Sequence, residues 1–387
     1  MNSSERVRIL DSTLREGEQS PGVSFTNSQR LQIAWALDYF GVDAIEISPI
    51  ISNQHREACK TMTKQGFKAE IVAHVRALPE DVDVALGCGA SSIAAYHSVS
   101  DIHLKHKLKV SREVAVERAV KTAEYAKAHG LRMRFTLEDA SRADPKFLQE
   151  VAKRVSEVGV DRISIPDTVG TMLPSGMYNL VRIVKDVVDI PIDVHCHNDL
   201  GLALANSLAG LEAGASQIHT TVDGLGERVG IASLAEVSTA LTIAYKMRLN
   251  LKLEMLRELS EMVRQYTGLN IPPSKPLVGD NAYKHKAGTH LVGVIREPST
   301  YEIVPPATVG NRRRLVFGEL VGKSGALFLL RTLGLDLGEE DARKLARGFK
   351  RLMKGDLFEL TFDENMEREM IELQEQIQRD PVHDEKR

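Results

Sequence analysis

Short β-rich runs alternate with amphipathic segments along this sequence, and this alternation constrains the fold more than any other feature. Eight runs predict strands, at Val7 to Thr13, Val42 to Ser48, Ala69 to Val75, Ser92 to Val99, Leu131 to Glu138, Arg162 to Thr168, Ile192 to His197 and Gln217 to Asp223. Apolar residues spaced i, i+3, i+4 predict helices between them, at Gln29 to Phe40, Arg56 to Gln65, Arg112 to His129, Lys146 to Val158, Met177 to Val187 and Leu202 to Ala213. This alternation predicts a parallel sheet, either a (β/α)8 TIM barrel or a doubly wound open sheet.

Polar residues favour the barrel, because they gather at one end of nearly every predicted strand. They are Asp11, Arg15, Glu16, His74, Arg76, His97, Arg134, Thr136, Glu138, Asp167, Thr168, His195 and His197. A closed barrel brings the carboxyl ends of its strands together, whereas an open sheet spreads them along an edge. We therefore predict an α/β fold with a catalytic (β/α)8 barrel over residues 1–270.

The pattern changes after the last of these units. The following segments are a helix at Leu251 to Tyr266, a turn-rich stretch from Ile271, helices at Lys323 to Leu333 and Glu340 to Lys354, and a charged tail at Glu367 to Arg387. We predict that residues 271–387 form a linker and a mostly helical C-terminal subdomain. We expect this subdomain to cover the barrel mouth of a partner subunit.

Composition and charge exclude several classes of protein. The chain has 387 residues, of which 43% are hydrophobic and 27% charged, with a net charge of −3, as in an ordinary globular protein without a nucleic-acid surface. The three cysteines show no CxxC spacing, so a disulfide framework is not expected. Neither a signal peptide nor a run of about 18 apolar residues occurs, so we expect a cytoplasmic protein without a membrane segment.

The stretch from Val194 to Asp199 contains two histidines two residues apart at the end of an apolar run. His195 and His197 share one face of the predicted strand, because side chains alternate with a period of two. This geometry suits a metal, although one histidine could simply pack inward while the other shares its face. In a barrel, Glu16 can join them as a third ligand, and the mixed donor set suits Mg²⁺, Mn²⁺ or Zn²⁺.

Alternation also places Arg134, Thr136 and Glu138 on one face of the fifth strand. An arginine in a barrel mouth can bind a carboxylate bidentately, although Arg134 and Glu138 could instead form a buried ion pair. The turn from Gly224 to Gly230 follows the eighth strand, where barrels often bind phosphate, but glycines also make ordinary turns. A metal beside arginines suits Lewis-acid catalysis of aldol, Claisen or retro-aldol chemistry on a 2-oxo acid.

Several motifs together resemble the 2-isopropylmalate synthase and homocitrate synthase family of metal-dependent (β/α)8 enzymes. They are Asp11-Ser-Thr-Leu-Arg-Glu-Gly-Glu-Gln-Ser-Pro-Gly-Val, His195-Cys-His-Asn-Asp-Leu-Gly, Gly224-Leu-Gly-Glu-Arg-Val-Gly and His285-Lys-Ala-Gly-Thr-His. The resemblance implies that acetyl-CoA condenses with a 2-oxo acid and that the thioester is then hydrolysed to a tertiary 2-hydroxy acid and CoA. It also implies a homodimer.

The resemblance assigns a role to each matching position. It implies a divalent metal held by Glu16, His195 and His197. It implies that Arg15 stabilises the developing enolate or alkoxide, and that the 2-oxo acid is contacted by Gln19, His74, Arg134, Thr136 and Thr168. Enolisation of acetyl-CoA would use Glu138, His290 and Tyr301, the last two reaching in from the segment after the barrel, from the partner subunit of the dimer.

Fewer positions indicate which 2-oxo acid is the substrate than indicate the reaction. His74 is similar to the histidine that holds the distal carboxylate of 2-oxoglutarate in homocitrate synthases, and Ile231 stands where isopropylmalate synthases usually have asparagine. Thr136 and Asp193 depart from the homocitrate synthase pattern, and Ile165-Pro166 resembles the isopropylmalate branch. We predict a homocitrate synthase. The alternatives are the same condensation on another 2-oxo acid, giving 2-isopropylmalate, citramalate or citrate, and a metal-dependent aldolase or lyase.

Overall fold

The computed structural model describes residues 7–335, 337–352 and 356–361. Contacts within the chain divide it into two compact units, Met1–Asn270 and Ile271–Arg387. In the first unit, eight parallel strands form a closed barrel in which each strand pairs with the next along the chain and β8 pairs with β1. The strands are β1 Arg8–Asp11, β2 Ala44–Ile47, β3 Glu70–Arg76, β4 Ser92–Ser98, β5 Arg132–Glu138, β6 Arg162–Asp167, β7 Ile192–Cys196 and β8 Gln217–Thr220. The predicted barrel is confirmed.

Helices follow the strands, as a barrel requires. They are α1 Asn27–Phe40, α2 Asn53–Met62, α3 Pro79–Gly87, α4 Asp101–His103, α5 Arg112–Ala128, α6 Pro145–Val158, α7 Pro174–Lys185, α8 Ala203–Glu212, α9 Leu234–Thr239 and α10 Leu256–Thr267. Local sequence sets their ends. Helix α1 begins with a capping box of Thr26 and Gln29 and ends at Gly41, whose φ of 106° suits glycine.

Inside the barrel, a small apolar layer formed by Leu10, Ala44, Val72 and Ala94 is fully buried. These positions alternate along the strands with outward-facing apolar residues that pack under the helices. Farther toward the carboxyl ends, the same inward face carries charged and imidazole side chains, among them Glu46 on β2 and His195 on β7. From this apolar layer toward the mouth, the inward face therefore becomes polar.

The second unit combines helices with a small sheet. Its elements are β9 Lys284–His285, α11 Gly288–Arg296, β10 Arg314–Gly318, α12 Lys323–Thr332, α13 Glu339–Leu352 and β11 Asp356–Thr361. Strand β10 lies in the centre, parallel to β9 and antiparallel to β11. An apolar core that includes Leu291, Phe317 and Leu329 lies within this unit. The predicted helices at Lys323 and Glu340 are confirmed, whereas the sheet was not predicted.

One helix of the barrel was not predicted from the sequence. Helix α3 was missed, although Pro79 at its first turn followed by Glu80 and Asp81 is a recognisable start signal. The predicted charged tail at Glu367 to Arg387 lies outside the described residues. Within the described part of the chain, no helix combines the length and apolar character needed to cross a membrane.

Candidate metal centre and active site

Glu16, His195 and His197 come together at the carboxyl end of the barrel. Glu16 lies in the loop after β1, His195 on β7, and His197 one residue beyond that strand. His195 Nε2 lies 3.9 Å from Glu16 Oε2, and His197 Nε2 lies 3.9 Å from Glu16 Oε1. These separations are too long for hydrogen bonds. One donor atom from each residue lies within 4.8 Å of the others, which is an arrangement that could hold a metal ion.

Burial determines the charge state of the two imidazoles. It lowers the pKa of His195 well below its usual value, and Arg15 and His197 lower it further. Burial is also the main cause of the lowered pKa of His197. Both rings are therefore neutral at neutral pH, and the neutral imidazole is the form that binds a metal. Two neutral imidazoles and a carboxylate fit Mg²⁺, Mn²⁺ or Zn²⁺.

The glycine-rich turn after β8 packs against the carboxylate of Glu16. The backbone N–H of Glu227 donates to Glu16 Oε1 at 2.9 Å. A Cβ on Gly226 would lie 2.9 Å from that same oxygen, so only glycine lets the turn approach so closely. Ser20 holds the turn in place, since its hydroxyl accepts from Gly226 N at 2.7 Å. The turn therefore orients a candidate metal ligand.

We expect Gly226→Ala to weaken metal binding, because its Cβ would push Glu16 out of position. Changing a residue that supports a metal ligand typically costs about 10–100-fold in metal affinity, and isothermal titration with Mn²⁺ or Zn²⁺ would measure the loss. Gly87→Ala is the control, since a Cβ there meets nothing within 4 Å. Unchanged affinity in Gly226→Ala would contradict the assigned role of the turn.

A buried network of charges links the loop after β1 to the barrel interior. Arg15 bonds Glu16, and its Nε donates to Glu46 Oε2 at 2.6 Å. Arg134 on β5 bonds the other oxygen of Glu46, and the hydroxyl of Ser12 donates to Glu46 Oε2 at 2.6 Å. Burial opposes ionisation of Glu46, yet the charges of Arg15 and Arg134 hold its pKa well below the usual value. Glu46 is therefore an anion between two cations.

Sequence reasoning missed Glu46, and it proposed a different partner for Arg134. The alternative of an Arg134–Glu138 ion pair is wrong, because Arg134 is paired with Glu46. The available signal was a single carboxylate between Ile45 and Ile47, at an inward position of an apolar strand. A buried carboxylate requires a cation, and the barrel supplies it from the opposite wall.

Beside this network, β5 presents polar atoms that lack partners. Arg134 Nε and Thr136 Oγ1 are buried and make no hydrogen bond within the described ranges. His74 on β3 stacks on Tyr96 with ring centroids 4.8 Å apart. Burial, reinforced by the charge of Arg15, lowers the pKa of His74 to about 3, so its ring is neutral. Such unpaired buried donors are expected where a polar ligand binds.

Arg76 and Glu138 are each engaged with neighbouring side chains. Arg76 bonds Asp81 through two nitrogens, at 2.7 and 2.9 Å. Burial favours a higher pKa for Glu138, but the His103 ring, whose Nδ1 lies 3.9 Å from Glu138 Oε2, and the charge of Lys107, whose Nζ lies 2.6 Å from Glu138 Oε1, lower it to about 2. Glu138 is therefore held as an anion, and it becomes a useful proton acceptor only if the ammonium group of Lys107 withdraws.

The remaining predicted substrate contacts lie in loops at the same end of the barrel. Gln19 is exposed in the turn after Glu16, and Thr168 Oγ1 accepts from Asp139 N at 2.9 Å. Arg228 joins three of these loops, since it donates to the carbonyl of Thr168 and bonds Asp199 through two nitrogens. This arrangement holds the loops after β6, β7 and β8 together.

His290 and Tyr301 both belong to the second unit. Their rings stack with centroids 3.8 Å apart, and both residues are exposed. The residue after Tyr301, Glu302, is buried; it accepts from two nitrogens of Arg313, at 2.7 and 2.8 Å, and lies 3.2 Å from His285 Nε2. The two predicted proton-transfer residues therefore form a single exposed pair next to a buried ionic anchor.

A closed eight-stranded barrel with a buried Glu–His–His triad at the ends of its strands defines a TIM barrel with a candidate metal centre. Residues 6–263 match the HMGL-like family, and residues 277–356 match the homocitrate synthase post-HMGL domain-like family. By structure, the chain is similar to the HMG-CoA lyase of Bacillus subtilis with a TM-score of 0.64, at 19% identity, over 70% of this chain and 97% of that one. That likeness concerns the fold alone.

Relatives with higher identity narrow the class. The chain is 46% identical to a probable 2-isopropylmalate synthase of Methanopyrus kandleri, over 90% of this chain and 70% of the relative. It is 44% identical to the homocitrate synthase AksA of the same organism (91% and 89%) and to the (R)-citramalate synthase CimA of Methanocaldococcus jannaschii (91% and 71%). The chain therefore belongs to the HMGL-like family and, within it, to the metal-dependent enzymes that condense acetyl-CoA with 2-oxo acids. The family resemblance predicted from the sequence is confirmed.

Proposed function

We propose that this enzyme condenses acetyl-CoA with 2-oxoglutarate to give homocitrate and CoA, in a lysine-type biosynthetic route. The observation that carries the choice of substrate is a pair of buried donors on β5, Arg134 Nε and Thr136 Oγ1, that have no hydrogen-bond partner among the described residues. Leaving a buried donor unpaired costs about 1–3 kcal/mol. A second carboxylate on the oxo acid would satisfy both donors, and a purely apolar side chain would satisfy neither.

The charges of the site support a dicarboxylic substrate. Arg15 and Arg134 balance Glu16 and Glu46, and the neighbouring histidines are neutral. A divalent metal would therefore leave a net double positive charge, which is opposite in sign and equal in magnitude to the charge on 2-oxoglutarate, whereas a monocarboxylic oxo acid would neutralise only half of it. Buried charges of opposite sign attract strongly, so this match favours 2-oxoglutarate.

In the proposed reaction, Glu16, His195 and His197 hold the metal. With Mg²⁺, Mn²⁺ or Zn²⁺ bound there, Lewis-acid polarisation of the oxo group would be available. Arg15 lies next to Glu16, where its guanidinium can stabilise the negative charge that develops on the oxo oxygen of the substrate. Gln19 and Thr168 would contact the oxo acid. Removal of the methyl proton of acetyl-CoA is assigned to Glu138, His290 and Tyr301, and this assignment and the homodimer remain predictions.

Condensation on a monocarboxylic oxo acid is the second candidate. It is favoured by the 46% identical relative that is named a probable 2-isopropylmalate synthase. Against it stands Ile231, which is buried and forms a β-bridge with His197 beside the triad. An apolar side chain at this point offers no ligand where isopropylmalate synthases usually carry an asparagine.

We expect His74→Asn to discriminate between substrates. His74 is neutral, so it would contribute a hydrogen bond to the second carboxylate, worth about 1.5–3 kcal/mol. The KM for 2-oxoglutarate should rise about tenfold or more, while the KM for 2-oxoisovalerate should change less than about threefold. Equal changes for both substrates would remove His74 from the carboxylate site. His97→Asn is the control, since it alters another buried histidine of the barrel that bonds its own strand.

A lyase acting without acetyl-CoA is the alternative from another reaction class. With metal, acetyl-CoA and 2-oxoglutarate, the proposed enzyme releases free thiol that a colorimetric reagent detects, and mass spectrometry finds homocitrate. If no 2-oxo acid gave thiol release, while a hydroxy acid were cleaved by the metal-loaded protein, the lyase would replace the proposed function.

A further inference from the structure

His219 on β8 lies between the candidate metal ligand His195 and a buried carboxylate. Its Nδ1 lies 3.3 Å from Nδ1 of His195, and its Nε2 lies 3.3 Å from Asp193 Oδ2. The same Nε2 lies 3.1 Å from Nη1 of Arg134. All four side chains are buried, so water does not replace these contacts. No role was assigned to His219 from the sequence.

The donors and acceptors along this line depend on which nitrogens carry protons. A neutral imidazole has one N–H and one acceptor nitrogen. When Nε2 of His195 binds a metal, the remaining proton must lie on Nδ1, which then donates to Nδ1 of His219. His219 consequently carries its own proton on Nε2, which faces the carboxylate of Asp193. The three residues form one consistent chain of hydrogen bonds.

We propose that Asp193 and His219 are positioning residues that fix the orientation and tautomer of the metal ligand His195. This inference rests on the metal site of the proposed function. A metal-bound histidine generally donates its other ring N–H to a partner that orients it and strengthens it as a ligand. Here the partner is a second histidine, and Asp193 completes the chain.

Asp193 is well suited to terminate this chain. Arg162 Nε donates to its Oδ1 at 2.7 Å, and Gln217 Nε2 donates to its Oδ2 at 2.9 Å. These contacts fix the carboxylate from the side of the barrel opposite the mouth. In contrast, Nδ1 of His197 is buried and has no hydrogen-bond partner in the described part of the chain. The support is therefore specific to one of the two histidine ligands.

The hydrogen bonds that link His195, His219 and Asp193 also affect the contacts of Arg134. Nε2 of His219 can accept from Nη1 of Arg134 only when it carries no proton, and the tautomers set out above place a proton there. Arg134 then keeps Glu46 as its partner and has an additional donor free. Nη1 of Arg134 would thus offer an N–H beside Nε, which has no partner among the described residues, where the carboxylate of the oxo acid is proposed to bind.

The test compares metal affinity among variants of this protein. Titration with Zn²⁺ gives the dissociation constants of wild type, His219→Leu and His219→Asn, without any use of catalytic activity. We expect about 10–100-fold weaker binding for His219→Leu, and a smaller loss for His219→Asn, whose amide oxygen can still accept from His195. His97→Leu removes a different buried imidazole and should leave the affinity unchanged. Equal affinity for His219→Leu and wild type would overturn the proposal.

A measurement on the wild type removes any dependence on folding of the variants. In protein labelled with ¹⁵N-histidine and loaded with Zn²⁺, NMR should show protons on Nδ1 of His195 and on Nε2 of His219. A proton on Nδ1 of His219 in the loaded protein would refute the relay. If the wild type bound no divalent metal, the proposed function itself would fail, and this outcome is distinct from failure of the relay.

Discussion

Replacing His195 by alanine is expected to abolish metal binding and catalysis together while leaving the fold intact. His195 lies at the end of β7, and its ring contacts Glu16, His197 and His219 rather than the apolar layer of the barrel. Lewis-acid stabilisation is worth several kcal/mol, and each 1.4 kcal/mol is tenfold in rate, so kcat/KM should fall by at least about 10³-fold. Titration calorimetry and thiol release measure the two losses separately.

The effect of bound metal on thermal stability shows whether His195→Ala has lost the metal site or the fold. A metal that binds only the folded state at about 100 times its Kd adds about 2.7 kcal/mol of stability. Zn²⁺ or Mn²⁺ should therefore raise the melting temperature of the wild type and leave that of His195→Ala unchanged, while the two metal-free proteins unfold at similar temperatures. Retention of full activity by His195→Ala in metal-free buffer would show that the triad is not the metal centre.

The second large effect is expected for Glu46→Gln. Glu46 is completely buried and is shared by Arg15 and Arg134, so removal of its charge leaves two buried guanidinium groups with too few anions. Breaking a buried pair in this way costs about 3–5 kcal/mol of unfolding free energy. Denaturant titration followed by circular dichroism measures the change. A loss below about 1 kcal/mol would contradict the assigned role of Glu46.

The control for Glu46 is an exposed ion pair, and acidification gives a further test. Glu57→Gln breaks a surface pair with Lys60 and should cost less than about 1 kcal/mol. Because the pKa of Glu46 is lowered in the folded state, its stabilising contribution is complete above the unfolded pKa of about 4.3 and declines as the pH falls below that value. The stability difference between wild type and Glu46→Gln should therefore narrow on acidification.

The barrel could be predicted because most of its units change from a period of two to a period of 3.6, and this signal is local. The small sheet of the second unit could not be predicted in the same way. Its central strand, Arg314–Gly318, has five residues, and its neighbours Lys284–His285 and Asp356–Thr361 lie far from it along the chain. Such pairing depends on tertiary contacts, which short segments do not reveal.

In the candidate site too, residues that are close together in the sequence could be predicted, and residues that are far apart could not. The histidine pair was predictable because both residues lie in one strand end, and Arg15 adjoins Glu16 in one loop. Glu46 and His219 were not predictable. The partners of Glu46 lie 31 and 88 positions away along the chain, and the His195 partner of His219 lies 24 positions away. Only closure of the barrel brings such residues together. The sequence therefore predicted the chemistry of the metal centre but not the network that supports it.

The most direct test of the central claim is a comparison of kcat/KM for CoA release across a panel of 2-oxo acids. The panel contains 2-oxoglutarate, oxaloacetate, pyruvate and 2-oxoisovalerate, each with acetyl-CoA and with Mg²⁺, Mn²⁺ or Zn²⁺. The contacts assigned to the second carboxylate predict a preference for 2-oxoglutarate over both monocarboxylic acids of about tenfold or more. A higher kcat/KM with pyruvate or 2-oxoisovalerate than with 2-oxoglutarate would contradict the homocitrate assignment.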